Sequence, residues 1–323
     1  MVAGAAISGD LSDAAWLEKL QSIGQRDGYY SSLGQDHAAI FVEKSHKVLF
    51  VAFETLHGIR SVSDSGLPIA FDVCNRRDWS HLSLISHKQS WFRDQSVWSY
   101  FDRLIDYGFF EDFDTVIFYG AGMCGYAAAA FSVVAPGSTV VLISPQATLK
   151  RPLTEWDTRF PSTARFDFST RYAYAPDMIE AADQCYLIYD PEEAEDAMHA
   201  SLFKGSNVHH HRYRRGSAGA IESDLRALGM VSAIADKAVK GTLSPAMLAS
   251  ILRLRKRHLP YLRALLSRVL DEDRPALTAA LCRQVVKDRP IPRFQQHLEE
   301  AEKRLAIRRG ETRTVNGGAL DSA

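Results

Sequence analysis

The chain of 323 residues lacks a dominant charge, a membrane-length apolar run and any cysteine spacing that would staple it. Its 38 Lys and Arg balance 39 Asp and Glu, a formal net charge of -1. That balance excludes a uniformly basic nucleic-acid coat and a strongly acidic solvated chain. The four cysteines, Cys74, Cys124, Cys185 and Cys282, form no CxxC pair and have no companion histidine at zinc spacing. Neither a disulfide framework nor a zinc site is expected, and a reducing compartment fits best. The longest apolar stretch, around residues 127–135, is too short to span a bilayer. The opening MVAGAAISGDLSD has no basic stretch and meets Asp10 and Asp13 early. The expectation is therefore a cytoplasmic protein with no membrane and no nucleic-acid partner.

What is present is an ordinary globular composition, 46% apolar and 24% charged, in a chain long enough for one large domain and an appendage. Charge is unevenly placed. Residues 251–310 carry 15 Lys and Arg against 7 Asp and Glu, so the preceding 250 residues form an acidic body.

Apolar β runs at 37–42, 47–53, 81–86, 139–144, 185–190 and 208–213, with a further run that opens the segment 115–132, alternate with helical patterns at 95–107, 192–203 and 221–228. This predicts an α/β fold, a mostly parallel sheet with helices on both faces. The first two runs, joined by a polar turn at 43–46, suggest an antiparallel hairpin. A helical segment occupies 1–29, the α/β domain 30–231 and an irregular aromatic and arginine-rich insertion about 145–177. A small all-α domain follows over 232–309, and 310–323 reads as a disordered tail. Two Asp-Arg-Pro triplets, at 273–275 and 288–290, are expected to start helices, with Asp as N-cap and Pro in the first turn.

The segment 115–132, TVIFYGAGMCGYAAAAFS, is a strand, a glycine turn and an alanine-rich helix. Such a turn sets backbone N–H groups and a helix N-terminus above a sheet. Gly120, Gly122 and Gly125 fit the dinucleotide spacing G-x-G-x-x-G. That fingerprint wants an acid at the end of the next strand, where Ser144, Pro145 and Gln146 stand, with Lys150 and Arg151 beyond.

The same residues, GAGMCGYAA, resemble the extended nucleophile elbow of α/β-hydrolases, GSSMGGYAAL, with Gly122 in the serine's place and Cys124 in that of the final elbow glycine. The resemblance covers about residues 37–230. Trp91-Phe92-Arg93-Asp94 is similar to a bacterial subgroup of hydrolase-like proteins. The resemblance implies a triad carboxylate at Asp190, after a late strand. It also implies a histidine loop after the last strand, where Gly216-Ser217 stand instead. The glycine segment is also similar to bacterial sequences called phosphoadenosine phosphosulfate reductases. The SGGxDS-type loop and ECGxH-like motif of that class are missing.

A ligand-binding turn is expected at Gly120, Ala121, Gly122, Met123 and Gly125, holding a small anionic or polar ligand. No cofactor is predicted, with a nucleotide the alternative. Catalytic candidates are weak. Cys124 lies in the first helical turn, where a helix N-terminus lowers a thiol pKa, or it is a small packed residue. Asp190 orients a histidine or caps the following helix. His199 lies three residues after Asp196, forming a base–acid or a surface ion pair. In His209-His210-His211 at most two rings share a strand face, so no metal is expected. The basic group Arg253, Arg255, Lys256, Arg257 and His258 reads as a solvated face or as docking for a protein partner through 244–309.

Overall fold

The computed structural model describes residues 7, 11–63, 65–74, 77–214 and 218–308. The chain divides into two compact units after Arg253. In the first, one sheet holds β1 (Gly28–Leu33), β2 (His37–Val42), β3 (Val48–Thr55), β4 (Ser80–Ser86), β5 (Thr115–Ala121), β6 (Thr139–Ile143), β7 (Gln184–Tyr189) and β8 (Val208–Arg212). Their order is 1-2-4-3-5-6-7-8. β2 is antiparallel to β1 and β4, and the pairings from β4 through β3 to β8 are all parallel. This is an α/β-hydrolase-like fold, and its strand order differs from the 3-2-1-4-5-6 of dinucleotide-binding domains.

The hairpin expected between the first two apolar runs does not form, because β4 lies between β2 and β3. The antiparallel partner of β2 is β1, whose half-exposed edge sequence GYYSSL carries no apolar run. β2 is buried throughout and β3 nearly so, which suits interior positions in the sheet.

The helices of this unit are α1 (Asp13–Asp27), α2 (Leu56–Val62), α3 (Ile69–Cys74), α4 (Gln95–Asp106), α5 (Met123–Phe131), α6 (Ala175–Met178), α7 (Ala194–Leu202), α8 (Ala218–Ala227), α9 (Met230–Val239) and α10 (Pro245–Leu252). Alternation along the strands splits the core. Leu82, Phe118 and Leu142 join α4, α5 and α7 on one face. Phe50, Ile117 and Ile143 join α3, α8, α9 and α10 on the other, and Ile40 and Ile85 meet α1 and α2. The helices expected after residue 232 thus divide: α9 and α10 complete the sheet's core and the rest form the second unit.

α5 is buried from Cys124 to Phe131. A helix apolar all round needs cover on two sides, and its alanines allow close approach. The sheet supplies one side and the insertion the other, with the Tyr126 hydroxyl donating to Tyr172 O at 2.6 Å. Arg93 pins that insertion, donating to Asp167 O at 2.9 Å, Arg171 O at 2.5 Å and Thr170 Oγ1 at 2.9 Å.

The second unit contains α11 (Leu259–Asp271), α12 (Pro275–Asp288) and α13 (Pro292–Arg308) around Leu262, Leu266, Val269, Cys282, Val285 and Phe294. The triplets behave differently from expectation. α12 does start at Pro275, but its N-cap is Arg274, and Asp273, at φ 50, instead pairs with Arg304 and Arg308. Asp288 ends α12, and α13 begins only at Pro292. Pro290 holds the preceding Arg289 at an extended φ of -150, so Arg289 and Pro290 lie between the helices and the second triplet ends one helix instead of starting another. The expected tail at 310–323 lies outside the described residues. Among these, no helix is long and apolar enough to cross a membrane.

Candidate functional site

β5 is interior to the sheet and delivers the glycine turn to its C-terminal edge. Each glycine there has a different physical reason. A Cβ on Gly120 would stand 2.1 Å from Cys124 O, so the returning helix forbids any side chain. One on Gly125 would meet Gly120 O and Pro145 Cβ, both at 3.2 Å. One on Gly122 would meet nothing within 4 Å. Gly122 has φ 54 and ψ -125 and is the N-cap of α5 without a side-chain cap. That is the backbone of a sharp strand-to-helix elbow, the turn that lifts a serine clear of the sheet in hydrolases. Packing leaves room for a side chain at the apex, and the chain supplies none.

The turn is tied to its neighbours. Gly122 donates to Ile143 O at 2.8 Å, and Gly122 O accepts from Tyr126 N at 2.9 Å. Met123, beside the apex, receives the Trp91 backbone N–H on Sδ at 3.2 Å. Trp91 and Phe92 both have positive φ, 58 and 53.

Cys124 is buried and belongs to the core on the α5 face. Burial pushes its thiol well above the ordinary value, with Glu222 and Glu54 adding to the effect. The lowering expected from the helix N-terminus is overcome by desolvation.

Asp190 follows β7, as the resemblance implied, and is buried. Its Oδ1 accepts from Glu192 N at 2.9 Å, while Glu193 is the N-cap of α7. Asp190 therefore closes a local turn ahead of the helix and does not cap it. Gly216 and Ser217, in the expected histidine loop, lie outside the described residues.

His199 is buried, and its partner is Asp157 of the insertion, not Asp196. Nε2 is 2.9 Å from Asp157 Oδ2, and Nδ1 accepts the Ala147 N–H at 3.2 Å. Nδ1 is thus unprotonated and Nε2 carries the proton, so neither nitrogen is left to act as a base. Arg159 joins Asp157 and Asp196. The hydrogen bonds from His199 and Arg159 hold Asp157 below the usual carboxylate range despite its burial. This network fastens the insertion to α7.

A serine–histidine contact does occur elsewhere. His37 Nε2 lies 2.6 Å from Ser90 Oγ, which lies 2.7 Å from Ser86 Oγ. Ser86 Oγ donates to Lys88 O at 2.5 Å. Each hydroxyl has one proton, so Ser90 must donate to Ser86 and His37 must donate to Ser90. The protons run the wrong way for His37 to activate Ser90. Burial pushes the His37 pKa down to about 4.

Beside the turn, on the opposite face of β5, lies a polar group that sequence reading missed. Glu54, at the end of β3, pairs with Arg226 of α8 and accepts Ile69 N–H at 2.8 Å. Burial pushes Glu54 up to about 7 against the pull of Arg226. The Tyr119 hydroxyl is buried there without a partner. Nothing local marks these residues; 172 positions separate Glu54 from Arg226.

The histidine run lies on β8, at the sheet edge. His209 Nε2 meets Gln184 Oε1 at 2.6 Å and His210 Nε2 meets Phe203 O at 2.9 Å. Among the described residues, no group of three or more His, Cys, Asp or Glu is placed to hold a metal ion.

No protein-family model and no curated protein matches the chain. Among solved structures it is similar to the esterase domain of a Rhodothermus marinus protein, at 10% identity and TM-score 0.41, over 63% of this chain and 92% of that one. It is also similar to Mycobacterium tuberculosis MPT51 (FbpC1), at 14% identity and TM-score 0.43, over 62% and 94%. For a Pyrobaculum calidifontis esterase the values are 14% and 0.43, over 74% and 96%. Likeness at this level carries no activity over to this chain.

Proposed function

We propose that this hydrolase-fold protein binds a small anionic or polar ligand at its glycine turn and performs no acyl transfer there. The carrying observation is the apex: Gly122 holds the elbow conformation with open space where a nucleophile would stand. The first N–H groups of α5 have no side-chain cap, and such groups favour an anion. The nearest alternatives are occupied otherwise. Cys124 is a buried, protonated thiol, His199 serves Asp157 and Ala147, and His37 donates to Ser90.

Turnover of p-nitrophenyl acetate by the full chain is the test, with background hydrolysis expected. Ester turnover that disappears in Cys124→Ala or in Ser90→Ala would overturn the reading. Thermal stabilisation by NADPH or by a phosphoadenosine nucleotide, but not by acetate or phosphate, would favour a nucleotide enzyme instead.

A further inference from the structure

The second unit is charged unevenly along its length. α12 and α13 are antiparallel: Arg283 meets Glu302 at 2.6 Å, and Asp273, before α12, pairs with Arg304 and Arg308 at the end of α13. The start of α11 packs into the same core, since Leu259 and Leu262 join Val285, Ile291 and Phe294. One end of the unit therefore gathers the start of α11 and the junction of α12 with α13. At the opposite end the cations are matched. There Glu272 takes Arg268 at 2.8 Å and Arg274 at 3.8 Å, beside the pairs of Asp273.

The first end carries Lys256, Arg257, Arg263, Lys287, Arg289 and Arg293, all exposed. Among the described residues, none of the six has an acidic partner. The only carboxylate within 254–263 and 285–295 is Asp288, which accepts from Gln284 Nε2 at 3.4 Å. Helix stability does not account for most of these cations. Lys287 complements the C-terminus of α12, but Lys256 and Arg257 precede α11, Arg289 precedes α13 and Arg293 lies in its first turn. Positive charge is unfavourable at a helix N-terminus. Neither α11 nor α13 has an acidic residue in its first turn to offset it.

We infer that this end of the second unit is a docking surface for an acidic segment of a partner protein. Four of the six cations are arginines, whose forked guanidinium groups take carboxylates bidentately. A short run of Asp and Glu residues complements this local patch, whereas the acidic body over residues 1–250 repels an extended polyanion. That repulsion disfavours DNA or RNA, and the rings needed to stack a base are covered. Of the two aromatic side chains there, Phe294 is buried and Tyr261 lies half-buried under Arg255. A lipid surface is disfavoured by where the apolar side chains stand. Leu277 and Ile307, the most exposed of the unit, lie at the paired end, and only Leu254 accompanies the cations.

The experiment follows the anisotropy of a fluorescein-labelled decapeptide of alternating Asp and Glu as the full chain is added at low salt. Binding is expected, and Arg257→Gln with Arg263→Gln should weaken it at least ten-fold. Arg289→Gln with Arg293→Gln, at the α12–α13 junction, should weaken it as much, because one ligand spans both sets. Lys19→Gln with Lys204→Gln removes equal charge from exposed positions of the first unit and should leave the affinity within two-fold. Should an arginine pair fail to fold, Lys256→Gln with Lys287→Gln takes one cation from each set and reads the same loss. Equal weakening by the Lys19 and Lys204 pair would reduce the attraction to net charge and overturn the surface. Dependence on only one arginine pair would overturn it too, as would no binding by the natural protein. Tighter binding of a single-stranded thymidine oligonucleotide, or of phosphatidylserine vesicles, than of the peptide would overturn the protein partner in favour of a nucleic acid or a membrane.

Discussion

The glycine turn and the seam between the insertion and α7 differ in what their side chains have left to offer. At the turn, the backbone has the elbow's conformation, an uncapped helix N-terminus and open space, but no reactive side chain. Where the insertion meets α7, Asp157 and Arg159 of the one assemble with His199 of the other, and both ring nitrogens are consumed. The difference teaches that one region can hold open backbone without a side chain while another holds polar side chains already committed to fastening. A histidine beside an aspartate is a base only if one nitrogen faces something that can give it a proton.

The sharpest break of this comparison is Asp157→Ala. If the pair is structural, removal leaves Arg159 and His199 without their shared partner and costs about 3 kcal/mol, read by urea denaturation. A stability change near zero would return His199 to the pool of candidate bases. Next come the two glycines. Gly120→Ala, which drives a methyl onto Cys124 O, should cost about 3 kcal/mol. Gly122→Ala has space and meets only the conformational penalty, about 1–2 kcal/mol on the general scale for strained backbone. Equal losses would show that the apex is sterically closed.

The third test concerns pH. The folded-state pKa of His37, about 4, lies below the ordinary 6.5. The unfolded chain therefore binds the proton first, and stability falls as pH drops from 6.5 towards 4. Natural protein should lose about 2–3 kcal/mol more than His37→Gln across that window, measured by urea midpoints at both ends. Identical slopes would mean that His37 is free to charge, and would reopen the Ser90 pair. The smallest effect is expected for Cys124→Ala, about 1 kcal/mol from a minor cavity and no change in ester rate.

The strand pattern from 81 onward was legible because β4 to β7 are buried apolar runs, and their alternation with helices implied parallel pairing. β1 was not legible, since half-exposed GYYSSL has no apolar periodicity. The elbow's position was visible in Gly120, Gly122 and Gly125. The basic group before α11 was visible too, but Lys287, Arg289 and Arg293 join it only because the α12–α13 junction returns there. Likewise His199 looked paired with Asp196, three residues away on its own helix, while the actual partner lies 42 positions upstream.

What the sequence by itself determined is local: apolar runs that must be buried, a glycine spacing that turns a strand into a helix, and a glycine at residue 122. Only the tertiary structure decided which glycine is sterically compelled, which partner His199 takes, and which cations gather at one end of the second unit. The physical reason is range. Backbone conformation and periodicity are set by neighbours in the chain, whereas proton direction, desolvation and open space are set by residues that meet only after folding.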